Sequence, residues 1–138
     1  MPVLRLHRIV RFHAVHHYRH SEWSEAENER VFGELGRPHG HHYAVHVTLT
    51  GETEPGTGFL VDLPALDRLL EDYIRIPLDG GDLNALIPGV ARGETQPSCE
   101  VLARWIWDRL DGSLPGRVRL ERVQVWESEE LGAEVAAG

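Results

Sequence analysis

The segment from residue 41 to residue 50 constrains the fold most strongly, because its apolar side chains recur at every second position. One side of the segment carries Tyr43, Val45, Val47 and Leu49. Successive side chains of a β-strand point to opposite faces, so this alternation predicts a strand with one face on a hydrophobic core. Residues 3–15 are predicted as an earlier strand, and His16 continues the parity of its apolar residues Phe12 and Ala14.

Helices are predicted where capping residues precede apolar residues at helical spacing. Ser24 begins a short helix that ends at Gly33, and Asp62 caps a second helix. Pro97 and Ser98 open a third helix, in which the serine hydroxyl can accept a hydrogen bond from a free backbone N–H. The chain therefore contains one short and two long predicted helices.

Three further strands are predicted, at residues 59–61, 117–127 and 131–136. The segment 77–96 is rich in glycine and proline and is predicted as a loop. The parity of the apolar residues changes between Leu120 and Val123, which predicts a β-bulge. Neighbouring strands along the chain predict antiparallel pairs with helices on one face, so residues 1–138 are predicted as a single α+β domain.

Composition excludes several functional classes. The net charge is −8, and all 14 basic residues are arginine, so the chain is a poor nucleic-acid partner and cannot form a lysine Schiff base. No apolar run approaches the length of about 18 residues that a membrane span needs, so no membrane partner is expected. Cys99 is the only cysteine and is predicted to be a small buried residue. The absence of any possible internal disulfide favours a cytoplasmic protein.

All nine histidines lie within the first 46 residues. His39 and His41 share one face if their strand begins near His39, and His16 ends the earlier strand on its apolar face. Three imidazoles at adjoining strand ends predict a zinc site with an open fourth position, the arrangement of a catalytic metal centre. The competing ligands are His13, His17, His20, His42 and His46. His42 and His46 would form a different site on the opposite face, and exposed histidines that bind no metal remain a third interpretation.

A series of short motifs runs through nearly the whole chain. In order, they are Phe12-x-Ala14-x-His16, Glu27-Asn28 with Phe32-Gly33, His39-Gly40-His41-x-Tyr43, Gly51-Glu52, Thr57-Gly58-x-x-Val61-Asp62-Leu63, Leu78-Asp79-x-x-x-Leu83-Asn84, Pro97-Ser98-x-Glu100 and Val125-Trp126-Glu127. In this order and spacing, the motifs resemble the 6-pyruvoyl-tetrahydropterin synthase / 6-carboxytetrahydropterin synthase family.

The resemblance implies a T-fold (tunnelling fold), an antiparallel four-stranded sheet with two long helices on one face. Such sheets oligomerise into a trimeric barrel, two trimers stack into a hexamer, and the sites lie between subunits. The resemblance also implies a Zn²⁺ cofactor on His16, His39 and His41, and a small-molecule pterin substrate anchored by Glu127. Glu100 is a second candidate for substrate binding.

Two departures from the family pattern concern catalysis. Leu35 stands where the family has a catalytic cysteine, and Gly80 replaces the histidine that follows Asp79 in the family. The candidate catalytic residues are therefore Glu34, which adjoins the lost cysteine, and Asp79. A carboxylate can act as a base if burial raises its pKa. His13, His17 and His42 remain open as replacements.

Two functions are compatible with this pattern. The first is a zinc-dependent lyase of a pterin or deazapurine pathway that acts on 7,8-dihydroneopterin triphosphate or a close analogue. The second is a T-fold protein that binds zinc and pterin without catalysis. The direction of Glu34 discriminates between them, since a base must reach its ligand and a solvated acid does not. Lysine-dependent aldolases and cysteine-ligated cyclohydrolases of the same fold are excluded by composition.

Overall fold

The computed structural model describes residues 1–138. The strands are β1 (Arg5–His16), β2 (His39–Thr50), β3 (Gly81–Asp82), β4 (Arg119–Trp126) and β5 (Gly132–Ala136). The helices are α1 (Glu25–Phe32), α2 (Leu63–Leu70), α3 (Ile76–Leu78), α4 (Leu83–Leu86), α5 (Pro88–Ala91) and α6 (Cys99–Leu110). A 3₁₀ turn spans Gly33–Gly36, and a π-helical turn at Glu71–Arg75 joins α2 to α3. No helix is both long enough and apolar enough to cross a lipid bilayer.

The sheet has the strand order β3-β1-β2-β4-β5. The four long strands pair in antiparallel fashion, as predicted, and β3 adds a two-residue parallel strand at the edge of β1. The register of β1 and β2 runs without interruption from Arg5 opposite Thr50 to His16 opposite His39. This register fixes which side chains meet at the end of the sheet that carries the histidines.

The predicted β-bulge is confirmed. Along β4, Leu120 lies opposite Leu49 and Arg122 lies opposite Thr48, so Glu121 is an extra residue in the ladder. The bulge restores the parity that lets both Leu120 and Val123 face the core, where both are buried.

The predicted strand at residues 59–61 is wrong. This segment forms a turn in which Glu54 N–H donates to Phe59 O at 2.8 Å, and the Phe59 ring stays 52% exposed. Both edges of β2 are already paired, one with β1 and the other with β4, so residues 59–61 have no free edge of β2 with which to form a hairpin. The loop predicted at 77–96 is also more ordered than expected, because it contains β3, α4 and α5.

The long helices cover one face of the sheet, which we call the helix face. Helix α6 packs on β4 and β5, and α2 begins where the Asp62 carboxylate accepts a hydrogen bond from Ala65 N–H at 3.4 Å. The core between helices and sheet includes Tyr43, Val45, Val47, Leu66, Leu70, Leu102 and Ile106. The opposite side, which we call the open face, carries Arg11, His13, His42, Ala44, His46, Gln124 and Trp126 and has no helix over it.

Replacing Ser98 with alanine is expected to lower the free energy of unfolding by about 1 kcal/mol. The Ser98 hydroxyl accepts a hydrogen bond from Val101 N–H at 3.2 Å at the start of α6, and alanine leaves that donor unsatisfied. Urea unfolding measures the change. Ser113→Ala is the matched control, because its exposed hydroxyl caps no helix. Equal stabilities for the two variants would contradict a capping role for Ser98.

Candidate metal and ligand site

Three histidines meet at the end of the sheet, on the helix face. The β1–β2 register places His16 directly opposite His39, and strand alternation returns His41 to the same side. The ring centroids are 4.6 Å apart for His16 and His39, 5.0 Å for His16 and His41, and 5.1 Å for His39 and His41. One ring nitrogen of each histidine lies within 4.8 Å of the others, so this histidine cluster could hold a metal ion.

Hydrogen bonds to backbone carbonyls fix two of these rings. His16 Nδ1–H donates to Pro97 O at 2.8 Å, and His39 Nδ1–H donates to Arg37 O at 2.7 Å. Each bond holds the proton on Nδ1 and leaves Nε2 with a free lone pair, the usual outer arrangement around a metal-binding histidine. His16 Nε2 is buried without any hydrogen-bond partner. An orphaned buried nitrogen is costly unless a ligand satisfies it, so the donor set fits a metal ion.

Burial also sets the protonation of the cluster. It lowers the pKa of His16, and it lowers the pKa of His41, because a charged imidazole is poorly solvated in this partly enclosed position. Neutral imidazole is the form that binds a metal, so burial favours the ligating form of these two rings.

The stability of the metal-free protein is expected to fall as the pH is lowered from about 7.5 toward about 5.5. The folded-state pKa of His16 lies below its unfolded value of about 6.5, so the unfolded chain takes up the proton first. The stability contributed by neutral His16 is fully present above its unfolded-state pKa. It is lost as the pH falls through the folded-state pKa of His16. Urea unfolding after chelation measures the decline, which should be shallower in His16→Gln. An identical decline in the variant would contradict this origin.

Glu127 follows β4 and turns its carboxylate to the histidine cluster. Its Oε2 lies 2.8 Å from His41 Nε2, although that nitrogen lacks a properly aligned hydrogen bond. Its Oε1 accepts a hydrogen bond from the Cys99 thiol at 3.3 Å, and the side chain is only 10% exposed. The carboxylate is thus oriented by α6 on one side and faces the cluster on the other.

Three further side chains at this site were not predicted to have a place in it. Burial raises the pKa of Cys99 to about 12, and that of Tyr18 to about 12, while the pKa of Tyr43 rises further. The Tyr43 hydroxyl lies 3.3 Å from His16 Nδ1. Its position two residues after His41 on the same face was the one sequence signal that could have identified it. Because burial favours the protonated Cys99 thiol at neutral pH, this cysteine is not a ready source of thiolate.

The remaining predicted site residues lie outside the cluster. The Glu34 side chain is 87% exposed and pairs with Arg37 at 2.8 Å. Asp79 accepts a hydrogen bond from His13 N–H at 3.0 Å, at the β1 edge. Glu100 is exposed in the first turn of α6. Within one chain, therefore, the structure brings together the three histidines and Glu127 but does not bring Glu34, Asp79 or Glu100 to them.

The alternative histidine site does not form a cluster of three donors. His42 and His46 lie on the open face, as their parity predicts, and His42 approaches only His13, with ring centroids 5.0 Å apart. The alternative site therefore amounts to one cross-strand pair, His13 and His42, rather than a set of three ligands.

Comparison with known proteins agrees with this geometry. The profile of the 6-pyruvoyl tetrahydropterin synthase family matches residues 5–137. The human 6-pyruvoyl tetrahydrobiopterin synthase is 36% identical over 124 residues, which covers 88% of this chain and 83% of the relative. The chain belongs to the 6-pyruvoyl tetrahydropterin synthase family.

Other relatives extend the comparison. A dihydroneopterin monophosphate aldolase of Pyrococcus furiosus is 29% identical over 124 residues, with 90% of each chain covered. The solved structure of Caenorhabditis elegans 6-pyruvoyl tetrahydropterin synthase superposes with a TM-score of 0.87 at 24% identity, covering 100% of this chain and 98% of that one. The predicted T-fold is confirmed by this structural likeness. Because the relatives are named as synthases and as an aldolase, family membership supports a lyase-type enzyme.

Proposed function

We propose that this family member is a zinc-dependent lyase that acts on 7,8-dihydroneopterin triphosphate or a close analogue, in a pterin or deazapurine pathway. The observation that carries the proposal is the contact between Glu127 and the histidine cluster, which would set a carboxylate anchor beside a metal ion. The proposal includes a cytoplasmic location and a homo-oligomer, either a trimer or a hexamer, as the family resemblance implies.

Glu127 is the proposed pterin anchor. A carboxylate accepts two parallel N–H bonds from a guanidine-like edge, which is the edge that a pterin ring presents. The Cys99 thiol and the low exposure of the side chain restrict the carboxylate to one orientation, so little conformational entropy is lost on binding. Glu100, exposed in the first turn of α6, remains a proposed second contact for the ligand.

His16, His39 and His41 are the proposed zinc ligands. Their number suits zinc, since three protein ligands leave a fourth position for a ligand atom. When bound, zinc supplies Lewis-acid polarisation of substrate oxygen. The chain's own contribution is to hold the His16 and His39 rings through Pro97 O and Arg37 O and to favour the neutral form of His16 and His41 by burial.

Glu34 and Asp79 are the proposed proton-transfer groups. Neither contacts the histidine cluster of its own chain, but sites between subunits are implied by the family resemblance, so each could serve a ligand bound across such an interface. The turn that carries Glu34 begins at Gly33, whose φ of 53° is a backbone conformation that favours glycine.

Binding of zinc and pterin without catalysis is the second candidate, and one observation favours it. The Glu34 side chain is exposed to solvent and forms an ion pair with Arg37, as expected of a surface acid without a catalytic role. The chain would then retain ligand recognition through Glu127 while lacking the groups that move protons.

Product analysis distinguishes the two functions. The zinc-loaded protein is incubated separately with dihydroneopterin triphosphate and dihydroneopterin monophosphate, and products are identified by mass. Loss of the phosphate chain with every side-chain carbon retained indicates a carbon–oxygen lyase. A hydroxymethyl pterin, which has lost side-chain carbons together with the phosphates, indicates a carbon–carbon lyase. A ligand that binds and is recovered unchanged selects the binding protein. A protein that holds zinc but neither binds nor converts a pterin overturns both.

Glu34→Gln is expected to slow product formation while pterin binding and zinc content stay unchanged. The amide keeps the size of the side chain but cannot accept a proton at neutral pH, so a base role predicts a defect confined to turnover. Glu29→Gln, an exposed change on α1, is the matched control. Turnover equal to that of the control would remove Glu34 from the mechanism.

A further inference from the structure

The Tyr18 ring lies against the histidine cluster, just beyond the end of β1. Its centroid is 5.0 Å from that of His16 and 6.4 Å from that of His39. It also stacks on Phe32 of α1, with ring centroids 5.9 Å apart and an angle of 26° between the planes. The phenol ring therefore packs both on α1 and on two of the proposed zinc ligands.

A backbone hydrogen bond fixes Tyr18 beside the position of the lost cysteine. Tyr18 N–H donates to Leu35 O at 3.0 Å, which ties the chain after β1 to the 3₁₀ turn. Leu35 has no polar side-chain atom and is 53% exposed, and Glu34 of the same turn points to solvent. Tyr18 is thus the side chain tied to this turn that brings a polar group to the histidine cluster.

Of the three tyrosines in the chain, Tyr18 is the one that brings an unengaged hydroxyl to this site. The Tyr43 hydroxyl is buried and lies 3.3 Å from His16 Nδ1, and the Tyr73 ring packs under the Arg109 guanidinium. No hydrogen bond within the chain engages the Tyr18 hydroxyl, and its oxygen is not among the buried unsatisfied atoms. A ligand can therefore reach this hydroxyl.

The Tyr18 hydroxyl lies on the side of the cluster that carries the proposed pterin anchor. Burial is the main cause that raises the pKa of Tyr18 to about 12, and the neighbouring Glu127, Cys99 and Glu100 add to the rise. Interactions between charges weaken with distance, so these contributions place the phenol oxygen near Glu127. A phenol is protonated at neutral pH even without such a shift, so the hydroxyl offers an O–H donor there.

We propose that Tyr18 is a specificity-determining residue of this site, whose hydroxyl donates a hydrogen bond to an oxygen on the side chain of the bound pterin. The inference rests on the function proposed above and adds a contact to it. Glu127 would hold the edge of the ring, and Tyr18 would recognise a hydroxylated substituent that faces the histidine cluster. The contact involves no change in the protonation of Tyr18. A site that hydrogen-bonds a ligand hydroxyl discriminates against the analogue that lacks it.

Fluorescence titration with two non-reactive ligands tests this role. One is oxidised neopterin, which carries a hydroxylated side chain, and the other is unsubstituted pterin, which has the same ring without the side chain. Tyr18→Phe keeps the ring that packs on Phe32 and His16 and removes only the hydroxyl. Neopterin binding is expected to weaken by about fivefold to tenfold, and pterin binding by less than about twofold, because only neopterin loses a hydrogen bond.

Tyr73→Phe is the matched control, because it removes a phenol hydroxyl on the π-helical turn, where the ring packs under Arg109. It should leave both dissociation constants unchanged. Zinc content and urea unfolding are measured for both variants, so that a loss of metal or of stability is not mistaken for the loss of a ligand contact.

The dependence on the ligand separates a failure of this inference from a failure of the proposed function. If the wild type binds both ligands and Tyr18→Phe weakens both equally or neither, Tyr18 does not recognise the side chain, while pterin binding stands. A wild type that holds zinc and binds neither ligand overturns the proposed function, and the role of Tyr18 is then rejected with it.

Discussion

Replacing His41 with alanine is expected to leave the protein essentially without zinc, whereas His42→Ala retains one ion per chain. The two residues are neighbours on β2, but strand alternation puts His41 in the histidine cluster and His42 on the open face. Loss of an outer hydrogen-bond partner alone costs roughly 10–100-fold in metal affinity, so loss of a ligand should cost more than that.

Competition with a chromophoric chelator measures the zinc affinity of both variants. The pair of neighbouring substitutions controls for changes in composition and strand stability, since both remove one imidazole from the same strand. Retention of zinc by His41→Ala together with its loss from His42→Ala would move the metal to the open face. Equal retention by both would contradict the cluster as the metal site.

Glu127→Gln is expected to weaken pterin binding by about 100-fold. The amide has the shape of the carboxylate but presents an NH₂ donor to the N–H donors of the ring, so a buried hydrogen bond to a charged group is lost. Such a bond contributes about 1.5–3 kcal/mol, and the mismatched donors add to the cost. Fluorescence titration with a non-reactive pterin measures the dissociation constant.

Glu129→Gln is the control for this experiment, because it removes the same charge two residues away at an exposed position. Zinc content should be unchanged in both variants, which separates a loss of pterin recognition from a loss of metal. A dissociation constant for Glu127→Gln close to that of the control would contradict the anchor role of Glu127. The same measurement on Cys99→Ala would show how far the thiol contributes by orienting the carboxylate.

Local sequence patterns predicted most of the fold. Alternation identified β1, β2, β4 and β5, and the capping serines and Asp62 marked the starts of the helices. The parity change near Leu120 identified the bulge. These features depend on neighbours a few residues apart, which is why a single sequence contains them. The strand predicted at residues 59–61 was wrong, because a strand there would need a free edge of the sheet. Whether an edge is free is decided by the pairing of distant segments.

The candidate site divides in the same way. The shared face of His39 and His41 follows from alternation, and the sequence by itself determined it. The meeting of His16 with His39 required the β1–β2 register, and the contact of Glu127 with Cys99 joins residues 28 positions apart. Only the tertiary structure decided that Glu34 points to solvent. Exposure and pairing depend on which remote side chains fill the surrounding space, and no local pattern contains that information.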